Sequence, residues 1–137
     1  MKLLHIAYGN MPDMRMMSPV MTEELEKLGE LEIVTRGRDM TEEERAGLIR
    51  NCDILLTGWG SSRVPDSIAA DRGRLGYICN ITGEMRSYVN PCHIESGVSV
   101  TNWGDAISRE VAEGAVALFF AVLKGIRPLG KLVEAGF

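Results

Sequence analysis

The sequence predicts a three-layer α/β/α domain built on a parallel sheet of about five strands. Three observations lead there. Short apolar runs recur at residues 2–8, 31–35, 53–57, 76–82 and 98–101, helix-like segments separate them, and each run leads into a glycine, at Gly9, Gly37, Gly58, Gly83 and Gly104. Apolar runs without polar alternation are what strands covered on both faces require. Strict β/α alternation implies parallel pairing through right-handed crossovers, which puts helices on both faces of the sheet.

The helical segments carry their own start and stop signals. Ser18 can cap a helix with Pro19 at its first position, Met21, Leu25 and Leu28 on one face, and Gly29 as its stop. Thr41-Glu42-Glu43-Glu44 is a capping box, the threonine serving the amide of Glu44 and the carboxylate reaching back, and it specifies a helix over residues 42–51. Two shorter helices, over 65–72 and 91–96, are each opened by proline and closed by Gly73 or Gly97, the second with Asn90 as its cap. The last and longest helix is apolar on most of its circumference and runs into Gly114 to Ile126. Five strands joined in this way suggest a flavodoxin-like order, 2-1-3-4-5. The domain is expected over residues 1–104, a linker helix over 105–127, and over 128–137 a tail or the start of a further domain with no folded element of its own.

Composition narrows the function. Fifteen basic and 19 acidic side chains give a net charge of −4 with no clustered Lys/Arg stripe, which argues against nucleic acid as a partner. No apolar stretch reaches the ~20 residues needed to span a bilayer, and the N-terminus lacks a signal-peptide pattern, so no membrane role is expected. Cys52, Cys79 and Cys92 form no C-x-x-C pair, which points to reduced thiols and a cytoplasmic setting. His5 and His93 are far apart, with no acidic or cysteine partner at ligand spacing. No catalytic role and no metal site is assigned. Met11, Met14, Met16, Met17 and Met21 read as packing residues, since no cysteine or histidine accompanies them.

In an open parallel sheet, ligands sit beyond the carboxyl ends of the strands, so the loops there carry the candidate site. Glycine lets backbone approach a ligand, and exposed amides bind carboxylate or phosphate. For Gly58, Gly60 and Gly83 two readings stay open, a tight βα turn or a ligand cradle. Trp59 and Trp103, each in a strand-end loop, are either a wall of an apolar pocket or a lid over the sheet edge. Gly58-x-Gly60 follows a strand, but Arg63 occupies the third glycine position, so the dinucleotide motif is not met.

From residue 75 to residue 127 the succession of pieces resembles the D-isomer-specific 2-hydroxyacid dehydrogenases at the end of their substrate-binding (catalytic) domain. Strand Tyr77-Ile78-Cys79-Asn80-Ile81 leads to loop Thr82-Gly83-Glu84, then to a short helix at 91–96, strand Gly97-Val98-Ser99-Val100-Thr101-Asn102, and a helix beginning Val111-Ala112-Glu113. The resemblance implies that amides around Thr82, Gly83 and Glu84 hold the substrate carboxylate, that Gly58, Trp59 and Gly60 line the opposite side, and that Ile107, Ser108 and Val111 lie toward the nicotinamide of NAD or NADP. Thr82 and Glu84 stand where the family commonly has glycine, and Ile107 where it often has asparagine.

In that family the substrate-gripping arginine, the acid/base histidine, its carboxylate partner and the glycine-rich cofactor domain follow the linker helix. The resemblance therefore makes this chain a substrate-binding fragment for small 2-hydroxy or 2-oxo acids, inactive alone and not expected to bind a cofactor tightly. The alternative is a stand-alone module that binds a small carboxylate or another protein. Val111, Ala115, Leu118 and Val122, with Ala112, Phe119, Leu123 and Ile126 beside them, make a stripe wider than one sheet contact covers, from which a homodimer through this helix is expected.

Overall fold

The computed structural model describes residues 1–9 and 17–136. Met11, Met14 and Met16 therefore lie outside the described residues, while Met17 is buried in the core. The chain divides into two compact units, Met1–Gly104 and Asp105–Phe137.

The first unit holds five parallel strands, β1 (Lys2–Ile6), β2 (Glu30–Val34), β3 (Ile54–Thr57), β4 (Tyr77–Asn80) and β5 (Ser99–Thr101). They lie in the order β2-β1-β3-β4-β5, the predicted arrangement. The apolar runs give the sheet its core. Leu4, Ile6, Leu55 and Ile78 pack with Ala46, Ile49, Ile68, Leu75 and Val98, all buried. β1 and β3, covered on both faces, show no alternation, whereas β5 alternates, with Ser99 and Thr101 exposed.

Helices α1 (Pro19–Glu26), α2 (Glu42–Arg50), α3 (Ser67–Ala70) and α4 (Pro91–Glu95) form between the strands. The cap signals operate as expected. Ser18 Oγ accepts from Met21 N–H at 3.3 Å. At α2, Glu44 N–H donates to Thr41 Oγ1 at 3.2 Å and Thr41 N–H to Glu44 Oε2 at 2.7 Å. The Thr41 amide first, and then the Thr41 hydroxyl, which donates to Glu44 Oε2 at 3.0 Å, hold the Glu44 carboxyl below its ordinary range. Leu28 departs from expectation: α1 ends before it and it is exposed. Gly73 has φ +54°, and a Cβ there would stand 2.5 Å from the Arg50 carbonyl oxygen, so both conformation and space require glycine.

The second unit holds α5 (Ser108–Leu123) and α6 (Ile126–Glu134). The tail expected to lack structure is helical. Gly125, at φ +60°, ends α5 in the left-handed region. Pro128 then falls in the first turn of α6, where a missing N–H costs no intrahelical bond. None of the α5 residues is buried, and Leu118 and Val122 are 69% and 80% exposed. Among the described residues no helix is long and apolar enough to cross a membrane.

Cys52, at the entrance to β3, is fully buried, and burial pushes its thiol up from 9.0 to about 12. An acid whose folded pKa is raised stabilises the fold below its unfolded value, and that contribution is lost as pH rises from 9.0 toward about 12. Cys52 is therefore expected to resist iodoacetamide in the native protein at mildly alkaline pH and to react on unfolding. Mass spectrometry of the alkylated native chain checks this, and rapid native labelling of Cys52 would contradict the burial argument.

Candidate functional site

The carboxyl end of β3 and the loop that follows β4 converge on one buried side chain, Asn80. Its Oδ1 accepts from Thr57 Oγ1 at 3.0 Å, and its Nδ2 donates to the carbonyls of Thr82 at 2.7 Å and Glu84 at 3.1 Å. Asn80, Thr57 and Thr82 are each 1% exposed. A carboxamide is suited to this position because it presents an acceptor to one strand and two donors to the following loop. Removing it would strand buried polar groups at about 1–3 kcal/mol each.

The loop braced in this way, Thr82-Gly83-Glu84, lies under Trp103. A Cβ on Gly83 would stand 2.4 Å from Trp103 Nε1, so only glycine admits the indole at its observed distance. Trp59, from the loop after β3, meets Trp103 edge to face, with ring centroids 5.8 Å apart and planes at 89°. Asn102 adds a third tie by donating from Nδ2 to the Gly83 carbonyl at 2.6 Å. Loops from three neighbouring strands thus form one surface, with Trp59 53% exposed at its rim.

On this surface the backbone supplies the free donors. The Gly58 amide is taken by Ser61 Oγ at 2.8 Å. Among the described residues, no hydrogen bond engages the amides of Trp59, Gly60, Gly83 or Glu84. Gly60 takes φ +79° in a turn closed by Ser61 N–H donating to the Gly58 carbonyl at 3.0 Å, and its own carbonyl accepts from Tyr8 N–H at 2.7 Å. Beside the loop lies a depression of about 370 Å³ lined by Gly83, Glu84, Met85, Arg86 and Asn102. Unpaired backbone amides at the wall of a depression, here those of Gly83 and Glu84, can bind a carboxylate or another small oxyanion.

The Glu84 carboxylate is turned to its own chain. It accepts from Ser87 Oγ at 2.9 Å, from Arg86 N–H at 2.7 Å and from Ser87 N–H at 3.3 Å. The Ser87 hydroxyl first, then these amides, hold its carboxyl below the ordinary 4.5. Glu84 thus stays ionised while its charge is shared with local donors.

The structure brings together Gly58, Trp59, Gly60, Thr82, Gly83 and Glu84. The Thr82 side chain faces inward to Asn80 and Glu84 and serves as a brace. Ile107, Ser108 and Val111 belong to the second unit, at the start of α5. Ile107 is its N-cap and offers no side-chain acceptor, and Val111 is 60% exposed. Sequence reasoning passed over Asn80, Ser61 and Asn102. The signal for Asn80 was a carboxamide ending an apolar strand beside another that ends in threonine.

Both histidines are buried and hydrogen-bonded to backbone. His5 Nδ1 donates to the Leu56 carbonyl at 3.1 Å. His93 accepts the Asn90 N–H on Nδ1 at 3.0 Å, which leaves Nε2–H to donate to the Pro65 carbonyl at 3.0 Å. Among the described residues, the fold brings ligand atoms of Asp66, Cys92 and His93 within 4.8 Å of one another, a proximity that sequence spacing did not show. Both ring nitrogens of His93 are already engaged with backbone, so this cluster offers a metal no imidazole ligand.

No known family's sequence profile matches the chain, and no curated protein matches it by sequence. Solved structures do. An acyclic imino acid reductase, Bsp5, in complex with NADPH and D-Arg superimposes with a TM-score of 0.69 at 21% identity over 100% of this chain. The PH0520 protein from Pyrococcus horikoshii OT3 gives 0.61 at 22% identity over 98%. The chain spans 42% and 37% of the lengths of those two proteins. At this identity the likeness establishes the fold.

A depressed carboxyl pKa contributes order above its unfolded value, and the contribution is lost as pH falls through the folded value. The Glu84 carboxyl carbon is therefore expected to titrate with a midpoint below 4.5 by NMR, with exchange of the Arg86 and Ser87 amides speeding up over the same acid window. Ser87→Ala should raise the midpoint toward 4.5. A midpoint unchanged by that substitution would remove the hydroxyl as the main cause.

Proposed function

We propose that this chain is the substrate-binding domain of an NAD(P)-dependent oxidoreductase of the D-isomer-specific 2-hydroxyacid dehydrogenase type. The observation that carries the reading is the pair of unengaged amides at Gly83 and Glu84, which line the depression beyond β4 and β5, with the unengaged amides of Trp59 and Gly60 in the neighbouring loop. The group they suit is the carboxylate shared by 2-hydroxy, 2-oxo and 2-amino acids. The D-Arg bound by the structurally similar reductase carries such a carboxylate, and its NADPH accords with a nicotinamide cofactor. Trp59 and Trp103 would wall the substrate side chain. NAD or NADP would belong mainly to the rest of such an enzyme. The apolar Ile107 and Val111, flanking Ser108 at the start of α5, suit the face of a nicotinamide ring. Three free thiols accord with a reducing, cytoplasmic setting.

Titration of the ¹⁵N-labelled chain with 2-oxo and 2-hydroxy acids tests the reading. Saturable shifts are expected at Trp59, Gly60, Gly83 and Glu84 with millimolar affinity, the chain alone turning over no NADH. Gly83→Ala, which forces Trp103 to move, should weaken binding by about 1–3 kcal/mol. Shifts elsewhere, or none, would sink the assignment, and NADH oxidation by the chain alone would sink its status as a partial enzyme.

A second reading, a stand-alone carboxylate-binding or protein-interaction module, is favoured by one observation, the exposed apolar surface of α5. Under either reading we propose that a second copy covers Leu118, Phe119, Val122 and Leu123. Burying such side chains stabilises by about 1.5–3 kcal/mol each. Light scattering should show a dimer that Val122→Glu dissociates, and a monomer at high concentration would overturn this.

A further inference from the structure

A second cavity, of about 320 Å³, shares no lining residue with the depression beside Gly83. Its walls are Glu42 and Arg45 from the first turns of α2, and Arg63, Val64, Pro65 and Asp66 from the segment after β3. Two guanidinium groups and two carboxylates thus face one space over the buried floor of Val64 and Pro65.

Among the described residues no ion pair engages any of these four charges, whereas Arg50, Arg74 and Arg109 are each paired with a carboxylate. Neutral groups orient three of the four instead. Arg63 donates from Nη2 to Asn90 Oδ1 at 2.7 Å, and the same carboxamide donates from Nδ2 to Asp66 Oδ1. One asparagine therefore holds a cation and an anion in fixed positions without neutralising either. Arg45 donates from Nη1 to the Met40 carbonyl at 2.7 Å, while its Nε, shielded from solvent, meets no acceptor among the described residues.

From this arrangement we infer that the cavity is a binding site for a small zwitterion of the α-amino acid type. The ligand carboxylate pairs with Arg45 and Arg63, and its ammonium group with Glu42 and Asp66. A guanidinium held by a neutral partner keeps its charge for a carboxylate. The balance of the lining selects the ligand: a multiply charged anion is repelled by Glu42 and Asp66, and a simple amine by the two arginines. The metal-like grouping at Asp66 adds nothing, because the His93 nitrogens are engaged with Asn90 and Pro65. The inference stands apart from the proposed oxidoreductase reading and uses none of its residues.

The test is titration of the ¹⁵N-labelled chain with glycine and alanine, with acetate, methylamine and inorganic phosphate as separate arms. Glycine is expected to produce saturable shifts at Arg45, Arg63, Val64 and Asp66, with acetate and methylamine at least about tenfold weaker, and Arg63→Gln should weaken glycine binding by about tenfold or more. Glu42→Gln, at an exposed position, should lower glycine affinity with the fold intact, which covers the case in which loss of Arg63 disturbs Asn90. Binding of acetate or phosphate as tight as that of glycine would reduce the site to a bare anion site and overturn the proposal. Absence of saturable shifts, or glycine binding unchanged in both variants, would overturn it as well. Shifts at Gly83 and Glu84 with 2-oxo acids should survive in Arg63→Gln, so failure of either site is read separately.

Discussion

The Asn80 carboxamide is the constraint on which the carboxyl edge of the sheet depends. Parallel strands bring their carboxyl ends to one side, where the backbone leaves the ladder and its polar groups need new partners. At β4 that need falls on a single side chain. Asn80 accepts from β3 through Thr57 and gives both amide hydrogens to the loop carbonyls of Thr82 and Glu84. With the Thr82 carbonyl drawn inward, the Gly83 amide of the same trans peptide is turned the other way and has no partner in the protein.

The aromatic pair adds shape to that capacity. Trp103 rests on Gly83 at a distance that excludes any side chain there, and Trp59 braces Trp103 from the opposite loop. Edge-to-face pairs contribute about 0.5–1.5 kcal/mol beyond their buried area, enough to favour one arrangement of two loops without locking it. Glu84 shows how charge is managed beside unpaired amides: three donors from Arg86 and Ser87 share its charge, which would lessen its repulsion of the anionic ligand proposed above.

The fold was legible because its signals are local. Apolar runs, prolines at first helical positions and the Thr41/Glu44 box each act within a few residues, and their alternation implies the parallel pairing of the strands. The loops of the candidate site could be located in the same way, since they follow the strands. Their working parts could not. Thr82 is named only for the amides around it, and the packing of Asn80 beneath it shows that its side chain faces inward. The opposed charges of Glu42, Arg45, Arg63 and Asp66 come from two segments that only the crossover brings together. The tail was misread because Pro128 breaks a helix in its interior but suits a first turn, and which of these applies depends on where Gly125 ends α5.

Helix α5 raises a different physical question. A 16-residue helix with no buried residue lacks the burial that normally holds a helix in a protein, and isolated helices of that length are marginal in water. Within its unit it is joined by α6, and by the Arg109–Glu113 ion pair on its surface. Such an exposed pair contributes at most about 1 kcal/mol. The apolar side chains from Val111 to Leu123 far exceed what that pair could offset if they stayed in water, and the contact of Phe119 with Phe120 covers only part of two rings. The burial that holds a helix must then come from outside α5 and its ion pair. A self-complementary contact with a second copy, as proposed above, would bury the same stripe twice through one interface.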